Sequence, residues 1–250
     1  MTGIGLRFSI AAGFACIAAP AAAQDRPAEK TAPVVVEMFL SQACSSCTPA
    51  AKFLTEIADR DDVIALSWHV DYWDTLMTKD GRWADIYSDK AYTIRQKKYN
   101  MRLRSRSSIY TPQAIVNGAW ETVGSSKEKL QDLIDDVSAQ NAPALIDAGW
   151  DEDALSFTIG QSERGGNAYL ISFMPRVSTA IPRGENAGRV FEEVNVVTNV
   201  RPLGVVLRHG GTITAPPPVE GEGCALIVQE AKQQKITAAA YCPSTNTTIN

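Results

Sequence analysis

Cys44-Ser45-Ser46-Cys47 constrains this chain more than any other pattern, because of what flanks it. The run from Val34 to Leu40 is apolar and β-prone, the pattern of a buried strand ending just before the first thiol. The stretch from Pro49 to Ala58 has the spacing of a helix that leads away from the second. Two thiols at a strand-to-helix turn put the first sulfur beside unpaired N–H groups at a helix start, and that setting favours the reactive thiolate. Redox chemistry is the leading expectation, with a metal clamp and an inert structural bridge as alternatives. One such pair supplies only two of the four ligands of a structural zinc site, and no second pair is spaced like it.

Compartment decides whether a disulfide persists. Arg7 is the only charge before Asp25, Phe8 to Ala23 is apolar, and Ala21-Ala22-Ala23 precedes Gln24. This is the pattern of a secretory signal peptide over residues 1–23, so the expected location is the periplasm, an oxidising compartment. Lipid attachment at Cys16 has a poor context in Gly13-Phe14-Ala15. Cleavage leaves 23 basic against 28 acidic side chains, a net charge of −5. Mild acidity without basic blocks argues against nucleic acid or an anionic membrane surface as partner. Four cysteines remain once Cys16 is removed, and two disulfides are the economical expectation.

Residues 24–33 are polar and Pro/Ala-rich, the pattern of a mobile tail. A helix is expected from about Cys47 to Arg60, a strand from Asp62 to Val70 and a helical stretch from Trp83 to Leu103. Asn117-Gly118 between β-prone runs predicts a hairpin. Ser125 and Glu128 have capping-box spacing ahead of Leu130, Leu133, Ile134 and Val137, which share one helix face. From about residue 142, alternation returns in short runs at 155–159, 168–173, 194–200, 225–228 and 236–241. Turn signals separate them, including Pro202-Leu203-Gly204. The expected organisation is an α/β domain over 34–141 (β-α-β, helical insert, β-β-α) followed by a mostly antiparallel β domain over 142–250.

That order, with Cys-x-x-Cys opening the first helix and Thr111-Pro112 preceding the hairpin strand, resembles the thioredoxin-like fold. More closely, the chain is similar to an exported bacterial thioredoxin-like family of unassigned activity, domain of unknown function 1223. The likeness is carried by Val35 to Cys47, by His69-Val70-Asp71-Tyr72-Trp73-Asp74, by Tyr110 to Gln113 and by Arg183-Gly184-Glu185-Asn186. Thr48 stands where family members usually have proline, which here follows as Pro49. The resemblance implies that Cys44 attacks and Cys47 resolves. It also implies a cis Pro112, with Thr111 offering backbone hydrogen bonds to an extended substrate. Glu37 sits where thioredoxins bury an acid, either relaying a proton to Cys47 or pairing with a nearby Arg or Lys.

His69 would complete a copper site with Cys44 and Cys47, as in copper-delivering relatives, but a lone His beside aromatics is more often a hydrogen-bonded core residue. Tyr72 and Trp73 read as packing. Cys224 and Cys242 flank the last two strands and are expected to form a structural disulfide; the alternative is a second redox pair exchanging with Cys44. Arg183 to Asn186 reads as a turn without assigned chemistry. The expected activity is thiol–disulfide exchange with exported protein thiols or a redox partner protein, without a cofactor. The competing class is a non-enzymatic ligand-, copper- or protein-binding module with a static disulfide.

Overall fold

All seven residues of β1 (Val34–Leu40) are buried, because both faces of this strand are covered. It pairs in parallel with β2 (Val63–His69), which is buried throughout as well. The computed structural model describes residues 1–3, 32–140 and 144–244. The expected signal peptide beyond Gly3 and the expected tail up to Thr31 lie outside these residues.

Between β1 and β2 runs α1 (Thr48–Ala58), shorter at both ends than the expected helix. A second helix, α2 (Lys90–Arg104), starts later than the pattern suggested. Residues from Trp83 to Asp89 are not helical, because the Asp85 and Asp89 side chains accept backbone N–H bonds that hold turns there. β3 (Gln113–Val116) and β4 (Trp120–Val123) form the hairpin turning at Asn117 and Gly118, both with positive φ, and α3 (Lys127–Gln140) follows. Leu130, Ile134 and Val137 of α3 pack with Phe53, Leu54 and Ile57 of α1 on one face of the sheet. Tyr92 and Tyr99 of α2 pack on the other, against Val35, Phe39 and Trp68.

The C-terminal half continues this sheet. It contributes β5 (Ile146–Asp151), β6 (Ala154–Ile159), β7 (Gly166–Ile181), β8 (Arg189–Val206), β9 (Gly211–Ala215), β10 (Gly223–Gln229) and β11 (Ile236–Tyr241). Strand order in the eight-stranded sheet is β11-β10-β7-β8-β2-β1-β3-β4, and β5-β6-β9 form a separate three-stranded sheet. The boundary expected near 141 is therefore not a break in the sheet: Ser67 of β2 pairs with Val196 of β8. The sheet curls, so that the Ile236 N–H donates to the Asn117 carbonyl at 2.9 Å. Along β10, Ala225 and Ile227 face the α2 side while Leu226 and Val228 face the small sheet, the period of two expected of a strand between two apolar layers. Pro202-Leu203-Gly204 is no turn. It lies inside β8, where Tyr169 pairs with Pro202 and Ala168 with Gly204, so Leu203 forms a bulge.

Candidate functional site

Cys44 and Cys47 are joined as a disulfide, with their Cα atoms 5.4 Å apart. A 3₁₀ turn over Ser45–Cys47 leads directly into α1. Pro49 occupies the first turn of that helix, where its missing N–H costs no intrahelical bond, so the displaced proline still opens the helix. Across from the pair, the Thr111–Pro112 peptide bond is cis. The Thr111 hydroxyl donates toward Cys44 Sγ at 3.4 Å and accepts the Trp73 indole N–H at 2.7 Å. Trp73, expected only to pack, thus fixes the residue that faces the sulfur.

Cys44 is not nearer solvent, as its place at a helix start suggested. Both cysteines are completely buried. The cover is the turn between β7 and β8, which had been given no chemistry. The Ser45 N–H donates to Glu185 Oε2 at 2.9 Å, and Asn186 Nδ2 donates to the carbonyls of Gln42 at 2.8 Å and of Cys44 at 3.1 Å. Gly184 has φ +82°, and a Cβ there would lie 3.1 Å from Cβ of Trp83, so this position suits glycine on both counts. The turn reaches the cysteines only because two long strands carry it there; its contact with Ser45 spans 140 residues, beyond any local pattern.

Glu37 does not approach Cys47. It shares a sheet face with Val35 and Phe39, whereas Met38 and Leu40 share the face of the cysteines. Its carboxylate takes a bidentate bond from Arg95 (2.6 and 3.1 Å) and a bond from the Tyr99 hydroxyl. Arg95 and Tyr99 also reach Gln229 of β10, at 3.2 and 2.8 Å. This is the pairing alternative, and it ties α2 to both halves of the sheet.

His69 lies between two carboxylates, with Nδ1 2.8 Å from Asp85 and Nε2 2.9 Å from Glu193, all three fully or almost fully buried. Burial disfavours the imidazolium, but the two carboxylates outweigh it and push the His69 pKa up to about 10. With both nitrogens engaged and the ring protonated, His69 has no lone pair for a metal, which removes it from the copper set. No group of three or more His, Cys, Asp or Glu among the described residues has the arrangement of a metal site. The triad instead supports the approach to the cysteines. Gln42 donates its N–H to Asp85 Oδ2 at 2.7 Å and its side-chain amide to Glu193 Oε2 at 3.0 Å. Asp71 and Asp74 are likewise used internally, accepting from the Thr93 and Ser88 hydroxyls.

Cys224 and Cys242 form a disulfide between β10 and β11, in a layer with Leu155, Phe157 and Leu170. It lies apart from the cluster that holds Cys44 and Cys47.

Among solved structures, the X-ray structure of protein AGR_C_4864 from Agrobacterium tumefaciens is similar at 27% identity and TM-score 0.75, over 89% of this chain and 99% of that one. HBP35 of Porphyromonas gingivalis aligns at 14% identity and TM-score 0.48, over 88% of this chain and 79% of that one. No curated protein matches. The family model described as "Protein of unknown function (DUF1223)" matches residues 35–229, a span that includes Cys44, Cys47, Pro112, the Arg183 to Asn186 turn and Cys224. The chain belongs to the DUF1223 family.

Proposed function

We propose that this protein is an exported thiol–disulfide oxidoreductase built on a thioredoxin-like core, acting on protein thiols through Cys44 and Cys47. The observation that carries the proposal is the convergence on one sulfur. Cys44 stands at the start of a helix-forming segment, with the Thr111 hydroxyl and the cis Pro112 bond across from it. The strand order β2-β1-β3-β4, with α1 and α3 on one face and α2 on the other, supports the thioredoxin-like reading. Two disulfides and the leader-like N-terminus support export to an oxidising compartment.

In the exchange, a substrate thiolate attacks Cys44 Sγ, the Cys44–Cys47 bond breaks, and the electron pair leaves on Cys47 Sγ, which takes a proton. A second substrate thiolate then attacks the substrate sulfur of the mixed disulfide and releases Cys44 as a thiolate. The substrate loses two electrons and the pair gains them; the reverse sequence reduces a substrate disulfide. Because both sulfurs are buried, the β7–β8 turn or the Trp73 side must move before a protein thiol can reach Cys44.

The test is a Cys47→Ser variant expressed with its signal. Mixed disulfides that depend on Cys44 and collapse on reduction support exchange. No trapped species, together with no turnover of a dithiol peptide, rejects it.

The burial of Cys44 favours a second reading, an interaction module with a static bridge. A reduction potential below about −300 mV, resistant to glutathione, selects that reading.

A further inference from the structure

On the sheet face opposite the cysteines lies a cavity of about 1170 Å³, between α2, the start of β7, the middle of β8, and the turn joining β10 to β11. It is a cleft open to solvent, somewhat larger than the usual small-molecule pocket of roughly 300–1,000 Å³ and far larger than a packing defect. Its floor is aromatic: Tyr169 is partly buried there, and the completely buried Trp68 lies beneath the Arg95 guanidinium that stacks over its ring at 4.9 Å. Ile94 and Met101, one helical repeat of seven apart on α2, extend this apolar surface while remaining 43% and 55% exposed.

The charge around this floor is one-sided. Lys97, Lys98, Arg102 and Lys232 line the cavity, and none of the four has a carboxylate within ion-pair distance among the described residues. Arg95 also lines it, but Glu37 already neutralises that guanidinium. The one acidic lining residue, Asp89, is occupied in capping α2 through the Ala91 N–H. Four unpaired cations around one cavity stand out in a chain whose net charge is −4.

Arg102 is the most telling of them. It is partly buried, and among the described residues its guanidinium donates only to backbone carbonyls, those of Gly118 and of Gln233. Burial pulls its pKa down more than the nearby Tyr99 and Glu230 raise it. Lys98 lies one helical turn before it on the same face. Lys232 and Gln233 both have positive φ without being glycine, a costly backbone that the Gln233 side chain pins to α2 by donating to the Arg95 carbonyl at 2.7 Å. The strained turn holds Lys232 at the cavity opposite α2.

We propose that this cavity binds an amphipathic carboxylate, its apolar body against Tyr169, Ile94 and Met101 and its acidic head between Arg102, Lys98 and Lys232. A guanidinium matches a carboxylate in two parallel hydrogen bonds, and the flanking ammonium groups add attraction without restricting the shape of the head. The site shares no residue with the cysteine pair, so binding is independent of thiol chemistry.

The experiment is isothermal titration of the full exported protein with dodecanoate, with dodecanol as the neutral probe of equal chain length. Saturable one-site binding of dodecanoate is expected, with dodecanol at least about tenfold weaker. The exposed pair Lys98→Gln/Lys232→Gln, which leaves the core intact, should weaken dodecanoate about tenfold and leave dodecanol unchanged. Arg102→Gln should weaken it further, provided its circular dichroism matches that of the parent. A Cys44→Ser/Cys47→Ser protein should bind as the parent does, whether or not the exchange reaction exists. No saturable dodecanoate binding below about 1 mM overturns the proposal. So do equal affinities for acid and alcohol, or unchanged affinity in the lysine variant. Sedimentation with anionic vesicles but no uptake of free dodecanoate also overturns it, because the face would then be a membrane contact.

Discussion

The Ser45 backbone N–H donates to the Glu185 carboxylate at 2.9 Å, placing a negative charge at the start of the turn that carries Cys44. A helix start attracts anions, and a Cys44 thiolate would compete with Glu185 for that favourable field. Glu185 therefore disfavours the reduced form of the pair and lowers its reduction potential. Glu185 is exposed, so the effect is in the range of surface charge–dipole effects, about 0.3–1 kcal/mol. Glu185→Gln is expected to raise the potential by roughly 6–20 mV, since about 30 mV corresponds to 1.4 kcal/mol in a two-electron couple. Equilibration with glutathione buffers, followed by thiol alkylation, measures this. A fall in potential would show that Glu185 acts through cover rather than charge.

His69 sets the alkaline limit of stability. Its pKa rises from about 6.5 in the unfolded chain to about 10 when folded, so the folded state holds the extra proton through that window. The stabilisation is fully present below about pH 6.5, shrinks between 6.5 and 10, and is lost above 10. Asp85 has the opposite sign. Burial works against its charge, but His69 outweighs that and lowers its pKa below 3.8, so its contribution is lost only as pH falls below the ordinary aspartate range. Urea midpoints should be flat from about pH 5 to 6.5 and decline steadily toward pH 10. A His69 ring signal that titrates near pH 6.5 in the native protein would contradict this. His69→Gln leaves two carboxylates facing a neutral amide and is expected to cost about 3–5 kcal/mol while removing the alkaline slope.

What the sequence made legible was local. Strand β1 is found over the expected residues because a seven-residue apolar run bounded by polar residues has few other uses. The Asn117-Gly118 hairpin was also readable, because left-handed turn positions select for those residues. The face on which Glu37 lies was not readable. Every residue of β1 is buried, so no alternation distinguishes the cysteine side from the α2 side. Pro202-Leu203-Gly204 has turn chemistry, yet pairing along the 16-residue β7 and 18-residue β8 overrides it and absorbs the extra residue as a bulge. The cover over Cys44 and the Asp85–His69–Glu193 group depend on that same hairpin. Their partners are brought together by sheet topology and share no periodic signal.

Glu37 separates structure from redox chemistry. It is fully buried, and among the described residues its partners Arg95 and Tyr99 bond to no other carboxylate. Glu37→Ala leaves the Arg95 guanidinium, 12% exposed, without its counter-ion, so a loss of about 3–5 kcal/mol is expected. Because the carboxylate faces away from the cysteines, the potential of the Cys44–Cys47 pair should be unchanged within error. Chemical unfolding and glutathione equilibration on one preparation give both numbers. A shift above about 30 mV would restore the proton-relay role that the geometry removes.

The Cys224–Cys242 bridge should act on stability alone. It closes a loop of 18 residues between adjacent antiparallel strands that are already paired from Ala225–Tyr241 to Val228–Ala238. Chain-entropy arguments give about 3 kcal/mol for a loop of that size. Cys224→Ser/Cys242→Ser places two hydroxyls in an apolar layer with Phe157 and Leu226, which adds to the loss. Thermal unfolding of the double variant should therefore fall by several degrees, while trapping through Cys44 in the Cys47→Ser background proceeds at the parental rate. Were the second pair to exchange electrons with the first, the double variant would lose trapping or shift the potential of Cys44–Cys47. The two bridges lie in different core clusters, one packed by α1 and α3 and the other by the small three-stranded sheet. Both pairs are closed in bridges within separate packed layers, with Cys44, Cys47 and Cys224 buried, so direct thiol exchange between them would require one of those layers to open first.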